Sequence, residues 1–198
     1  MPSPGPIPQK ALIKACLSAV TLAERRHAKW SNGVTMRAAP ESLVQTITAE
    51  TIARTGMRLL LEVSVNDLKR LQRGEALDDN DSATRSGRVD IAAYYKSTEV
   101  RFIVEIKKLS GNGKCLLEDC RRIHDLLAAC PSLQSGIMLG YTVAANASTV
   151  VSRIEATRVA TGSRVAKLMP MEPVTSKKGA ARVLGAAVFC VTRQQQRP

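Results

Sequence analysis

Residues 88–109 read RVDIAAYYKSTEVRFIVEIKKL, and the way they fold decides what the rest of the chain can be. Two stretches, Arg88 to Tyr95 and Val100 to Leu109, have the β-branched and aromatic character of strands, joined around Lys96 to Glu99. Side chains alternate along a strand. Arg101, Ile103, Glu105 and Lys107 therefore share one face, while Val100, Phe102, Val104 and Ile106 take the other. With the hairpin centred between Ser97 and Thr98, Asp90 lies opposite Glu105 and Arg88 opposite Lys107. Two carboxylates and an ammonium then converge. A slip of one residue would send Asp90 to the opposite face and dissolve the cluster.

Outward from this hairpin the chain alternates between strand and helix signals. Met57 to Val65 is short, apolar and partly β-branched, which predicts a strand. Before it, a helix begins near Pro40 and runs to about Thr55, where Gly56 stops it; Leu43, Val44 and Ile47 form its apolar stripe. An earlier helix spans Lys10 to Lys29 and ends at the turn-prone Ser31-Asn32-Gly33. Asn66 to Gly87, with Gly74 and the run Asp78-Asp79-Asn80-Asp81-Ser82, reads as loop. Ser110 to Lys114, with Gly111 and Gly113, reads as a flexible turn. Cys115 to Cys130 is the clearest helix: Leu116, Cys120, Ile123 and Leu127 recur on one side, and Glu118 with Arg122 and Arg121 with Asp125 sit four apart on the outer side. Gln134 to Val143 predicts a strand, Asn146 caps a helix to about Ala160, and strands follow near Arg164 to Met169 and Arg182 to Thr192.

The core order is thus helix, strand, strand, strand, helix, strand. It predicts an α/β fold with a mixed central sheet flanked by helices, an N-terminal helix before it and a C-terminal strand extension after it. At 198 residues the chain suits one domain on the prior of roughly 100 to 200 residues each. That domain is placed at 10–192 with its core at 40–143, between disordered tails at 1–9 and 193–198.

Lys and Arg number 29 against 17 Asp and Glu, a formal charge of +12, spread along the whole chain. Such a field attracts polyanions such as nucleic acid or acidic lipid. Aromatic residues are 3% of the chain, which argues against a single-strand RNA binder that stacks bases on rings. The most apolar runs, Arg58 to Val65 and Val183 to Val191, are too short to cross a bilayer. The N-terminal stretch lacks the apolar centre of a secretion signal, and five cysteines, Cys16, Cys115, Cys120, Cys130 and Cys190, have no framework spacing. These point to a cytoplasmic protein with reduced thiols and no membrane partner.

The hairpin cluster has the composition that phosphodiester hydrolysis needs. Carboxylates are the hard oxygen ligands of magnesium, and a nearby ammonium can orient the attacking water and offset developing charge. The competing interpretation is a solvated strand face with a cross-strand ion pair; a polar patch among apolar neighbours, covered by a helix, argues for a site. Asp90 within Arg88-Val89-Asp90-Ile91, followed by Glu105-Ile106-Lys107, resembles the PD-(D/E)XK nuclease superfamily, with Val89 where a proline stands in the motif's name. The order of elements from Pro40 to Val143 is similar to that superfamily's restriction-endonuclease-like core (αβββαβ). Pro40-Glu41-Ser42-Leu43, Leu61-Glu62-Val63 and Glu118-Asp119-Cys120-Arg121-Arg122 resemble a bacterial branch of it.

The resemblance implies a metal-dependent endonuclease acting on DNA, with RNA as the second choice. Asp90 and Glu105 would hold Mg²⁺, or Mn²⁺ in its place, and Lys107 would orient or activate water. It also implies a further acid from the helix before the sheet, helping through metal or water. Glu41 and Glu50 are the candidates there, with Glu62 on the first strand a third and Glu41 the favoured one; as a residue of the first helical turn, Glu41 would also suit the helix dipole. Arg88, Lys108, Lys114, Arg121 and Arg122 are candidates for DNA phosphate contacts, Arg121 and Arg122 serving equally well as partners in helix ion pairs. Relatives often work as homodimers, although no helix here carries a sustained heptad seam. A non-catalytic nucleic-acid-binding or regulatory protein on the same fold is the alternative. Cys115, Cys120, His124 and Cys130 suggest zinc, but no C-x-x-C knuckle is present and Cys120 falls on the apolar stripe. A nucleophilic pair of Cys120 with His124 would lack an oxyanion pocket in mid-helix.

Overall fold

The computed structural model describes residues 9–75, 87–94, 99–175 and 179–193. The Asp78 to Ser82 run, the hairpin centre at Ser97 and Thr98, Lys177-Lys178 and the tails at 1–8 and 194–198 lie outside the described residues. Gln9 and Arg193, assigned above to the tails, belong to the fold. Gln9 opens the first helix and donates to Ser135 Oγ, while Arg193 donates to the carbonyls of Cys130 and Leu133.

The elements run α1 (Gln9–Trp30), α2 (Glu41–Ala53), β1 (Arg58–Ser64), α3 (Val65–Gln72), β2 (Arg88–Tyr94), β3 (Val100–Lys108), α4 (Leu117–Ala129), β4 (Ser135–Ala144), α5 (Ala147–Thr161), β5 (Arg164–Leu168), β6 (Glu172–Thr175) and β7 (Ala181–Val191). The architecture is α/β, with a mixed seven-stranded sheet flanked by helices. Strand order is β1-β2-β3-β4-β7-β5, with β6 also on β7. β3 and β4 are parallel, joined by α4, and every other pair is antiparallel. Every residue of β4 is buried, as expected of a central strand covered on both faces.

Two apolar clusters lie on opposite sides of the sheet. One gathers α1 and α2 through Leu12, Cys16, Val44 and Ile47 onto Ile91, Phe102, Val104 and Ile106. The other gathers α3, α4 and α5 through Leu68, Cys120, Ile123 and Val150 onto Ala92, Ile103 and Met138. The predicted stripe is buried throughout, Cys120, Ile123 and Leu127 on α4 and Leu116 in the turn just before it. Asn146 caps α5 by accepting from Thr149 N at 2.9 Å, and Gly162 ends that helix in the left-handed conformation. No helix among the described residues is long and apolar enough to cross a membrane.

Three expectations need correction. The segment after β1 begins with helix α3, whose cap is Ser64 accepting from Asp67 N at 3.0 Å; the pattern Ser64-x-x-Asp67 is a capping signature that the neighbouring loop residues obscured. The extension contains an unforeseen strand, β6, because Pro173 argues against a strand, yet proline is tolerated at a sheet edge. The turn at Ser110 to Lys114 is pinned: Gly113 has φ 67, and a Cβ there would overlap the Ala156 carbonyl of α5.

Close approach of helix to strand recurs elsewhere on this side of the sheet. At Gly136 of β4 an added Cβ would overlap Ile123 of α4, and at Gly185 of β7 it would overlap Val150 of α5. Gly136 thereby sets the height of α4 above the sheet. Gly136→Ala is expected to destabilise the fold by about 1–3 kcal/mol, as overpacking of a dense core does. Urea denaturation measures it, and an unchanged midpoint would show that α4 yields freely.

Candidate active site

β2 and β3 are paired at Ala93↔Phe102, Ala92↔Ile103 and Ile91↔Val104, in the parity expected of the hairpin, with an irregularity between Ala93 and Tyr94. Beyond Ile91 and Val104 the ladder stops. β2 stays with β1 through Val63↔Val89 and Ser64↔Arg88, while β3 stays with β4 as far as Lys108↔Tyr141. The sheet therefore divides at this point. Ile106 N–H, left without a β2 backbone partner, donates instead to Asp90 Oδ2 at 2.6 Å. Asp90 lies close enough to Glu105 for their charges to interact, and Glu105 is met by Arg122 from α4.

α4 supplies the groups that meet them. Arg122 Nη1 lies 2.8 Å from Glu105 Oε1, 3.1 Å from Asp119 Oδ1 and 2.8 Å from the Arg88 carbonyl. Glu105 is 3% exposed and Asp119 8%. Three acids thus share a poorly solvated space, and the electrostatic consequences follow from that. Burial raises the Asp90 carboxyl to about 6, against the Ile106 N–H bond that favours its anion; Glu62 raises it further. Glu105 is pushed well above the carboxylate range, by burial first and then by Asp90 and Asp119, in spite of Arg122. Asp119 is raised by burial.

The end of β3 is held from the other side. Glu41, in the first turn of α2, accepts from Lys107 Nζ at 3.2 Å and from Lys108 N at 3.0 Å. Burial disfavours the Lys107 ammonium, but Glu41, Asp119 and Asp90 outweigh it and its pKa ends above the ordinary lysine value. One turn along α2, Gln45 Nε2 donates to Glu62 Oε1 at 2.6 Å and to the Asp90 carbonyl at 3.0 Å. Glu62 has φ 53, an uncommon conformation for a residue with a side chain, and such outliers concentrate at functional sites. Tyr141, on β4 beside Lys108, is fully buried with its hydroxyl lacking a hydrogen-bond partner among the described residues.

The structure brings Asp90, Glu105, Lys107 and Glu41 together and leaves Glu50 outside, where it bridges Arg26 of α1 and Arg54. Arg122 turns inward, pairing three residues back with Asp119 and not with Glu118. Arg88, Lys114 and Arg121 are exposed, and half-buried Lys108 extends its Nζ to the Arg37 carbonyl. Cys120 is buried, with Sγ against Ser163 Oγ at 3.5 Å. Sequence reasoning passed over Asp119 as a site residue and gave Gln45 no role. Asp119 did leave a signal, being three residues after buried Leu116 and four before buried Ile123, so it had to face inward. Gln45 follows Glu41 by one helical turn, on the same side.

Among the described residues no group of three carboxylate, imidazole or thiol side chains is placed to hold a metal ion. The donors present are two carboxylates: Asp90 keeps Oδ1, and Glu105 keeps Oε2, without a hydrogen-bond partner among the described residues. That set suits magnesium, which takes one or two protein carboxylates and completes its shell with water and phosphate. Family models, curated proteins and solved structures were each compared with the chain, and none matches.

A carboxyl whose pKa rises on folding binds its proton more tightly in the native state, so it contributes stability at low pH that is lost as pH climbs through the folded value. For Asp90 the window runs from the ordinary carboxylate range to about pH 6. In EDTA, wild type is expected to lose stability across that window, and Asp90→Asn, which keeps an acceptor for Ile106 N–H, should show a flatter profile. Parallel unfolding midpoints for the two proteins would mean that Asp90 is not strained by its surroundings.

Proposed function

We propose that the chain is a magnesium-dependent nuclease, hydrolysing DNA phosphodiester bonds on a restriction-endonuclease-like core. The observation that carries this reading is the meeting of Asp90 and Glu105 where β2 leaves β3, with the Lys107 ammonium near enough to Asp90 for their charges to interact. The order α2, β1, α3, β2, β3, α4, β4 is compatible with it, α3 standing as an insertion between the first two strands, and the resemblance of Asp90 and Glu105-Ile106-Lys107 to the PD-(D/E)XK motif supports it. A crevice at the carboxyl end of a parallel strand is also where open α/β sheets bind their ligands.

Asp90 and Glu105 would hold the ion, Mn²⁺ being an acceptable replacement. Bound there, it would polarise the scissile phosphate and lower the pKa of a water. Lys107, kept protonated by its acidic neighbours, is a hydrogen-bond donor: it orients the water or a phosphate oxygen and offsets the charge that builds on the phosphate oxygens. It is not the base that removes the water's proton. Glu41 acts as a positioning residue, since its two oxygens fix Lys107 Nζ and the Lys108 amide. Exposed Arg88, Lys114 and Arg121 are suited to backbone phosphates, contacts that orient a duplex without reading its sequence. One observation favours the second reading, a non-catalytic nucleic-acid-binding protein: Glu105 already has a cation in Arg122.

Incubation of supercoiled plasmid with wild type and Mg²⁺ is expected to give nicked and linear products, and none in EDTA. Asp90→Ala and Lys107→Met should each reduce the rate by about 10²-fold or more, the scale of removing one electrostatic contributor. Equal nicking by wild type and Asp90→Ala rejects the site. Plasmid that is retarded on a gel but never cut, identically for both proteins, establishes the binding-protein reading instead.

A further inference from the structure

Arg122 occupies an unusual position for a surface-helix arginine. Its three contacts, to Glu105, to Asp119 and to the Arg88 carbonyl, fall within 3.1 Å of a single nitrogen, Nη1. That nitrogen carries two hydrogens, so three acceptors cannot all receive a linear bond. Letting Glu105 go would leave Asp119 and the Arg88 carbonyl, one acceptor for each hydrogen. Asp119 is on the same helix, one turn away, and is itself buried, so it remains in place as the second anchor. The height of α4 is fixed by the contact of Ile123 with Gly136, which holds both residues against the site.

The local charge balance adds a reason for exchange. Glu105 and Asp119 face Arg122, Asp90 adjoins both acids, and Lys107 is already engaged by Glu41. One guanidinium cannot balance all three acids once they are ionised, and a buried charge without a partner is costly. A second cation entering between Asp90 and Glu105 would relieve the deficit provided that Arg122 withdraws from Glu105.

We propose that Arg122 is an internal counter-cation, seated on Glu105 in the metal-free protein and passed to Asp119 when a divalent ion takes Glu105. This deepens the nuclease reading and rests on Glu105 being a metal ligand. Arg122 is a positioning residue: it competes with the ion, and Asp119 sets how strongly by offering the place to which the guanidinium retreats. Because Arg122 also holds the Arg88 carbonyl of β2, the same exchange loosens the tie between the two diverging strands on the side where a phosphate would enter.

The test is Mn²⁺ binding, followed by calorimetry, to wild type, Arg122→Gln, Asp119→Asn, the double variant and Glu105→Gln. Removing the competitor should tighten Mn²⁺ binding in Arg122→Gln by about tenfold, a coupling of ordinary size between two linked ligands. Asp119→Asn should weaken it severalfold in the wild-type background and much less in the Arg122→Gln background, since the retreat no longer matters there. Unchanged or weaker binding by Arg122→Gln, or an equal effect of Asp119→Asn in both backgrounds, overturns the proposal. A measurement on the unmodified protein guards against variants that fail to fold: the Arg122 ¹⁵Nε–H resonance should move in step with Mg²⁺ saturation, and a resonance that stays fixed at saturation overturns the proposal as well. Equal affinity of wild type and Glu105→Gln for Mn²⁺ would remove the metal centre itself, whereas Glu105-dependent binding indifferent to Arg122 removes the exchange alone.

Discussion

The separation of β2 from β3 after Ile91 and Val104 is the constraint on which the site depends. While two strands are paired, their backbones satisfy one another and their side chains do no more than line a face. Once they part, the amide of Ile106 and the carbonyl of Arg88 need partners from elsewhere. Asp90 supplies an acceptor and Arg122 a donor. The polar groups of the cleft are therefore brought there partly to complete the backbone's hydrogen bonding, and their concentration is a result of the division of the sheet.

That concentration shapes the chemistry. Acids placed on adjoining strands and covered by a helix hold protons more firmly than free carboxylates, because burial and mutual repulsion act in the same direction. Lys107 is affected in the opposite sense, since its neighbours are anions and its charge is preserved. The cleft is thus ready for a further positive charge and already contains a fixed one. Glu41 and Gln45 work from the other layer, reaching the end of β3 and the start of β2 from one face of α2. Two helices on opposite sides of the sheet so define one site.

Much of this architecture is legible in the residues. Alternation from Phe102 to Ile106 specified which side chains share a face, although Val100, expected beside Phe102, packs with Ile103 beyond the irregularity at Ala93 and Tyr94. Turn parity specified the β2 partners of Phe102, Ile103 and Val104, because a buried sheet tolerates no slip, whereas the expected pairing of Arg88 with Lys107 is lost where the strands part. The stripe of α4 was equally clear. What stayed hidden depended on geometry with no local pattern. The helix after β1 was masked by its polar, turn-rich neighbours, and β6 by Pro173. The exclusion of Glu50 could not be foreseen, since its position beside the apolar stripe of α2 is compatible with facing the sheet; α1, distant in sequence, provides Arg26 and claims it. Arg122 had two acids within reach on its own helix, and the choice of Asp119 over Glu118 followed from the burial of Glu105 on another element.

The borders of the sheet carry a consequence of their own. β1 forms one border, and its run of extended residues is broken by Glu62 in a left-handed conformation, a charged residue where a flat strand would present an even row of amides. The opposite border consists of two short pieces, β5 and β6, one of them containing proline. Neither rim offers a long, regular template to which a foreign strand could add, so a chain with so apolar a centre is guarded against joining its neighbours edge to edge into fibrils.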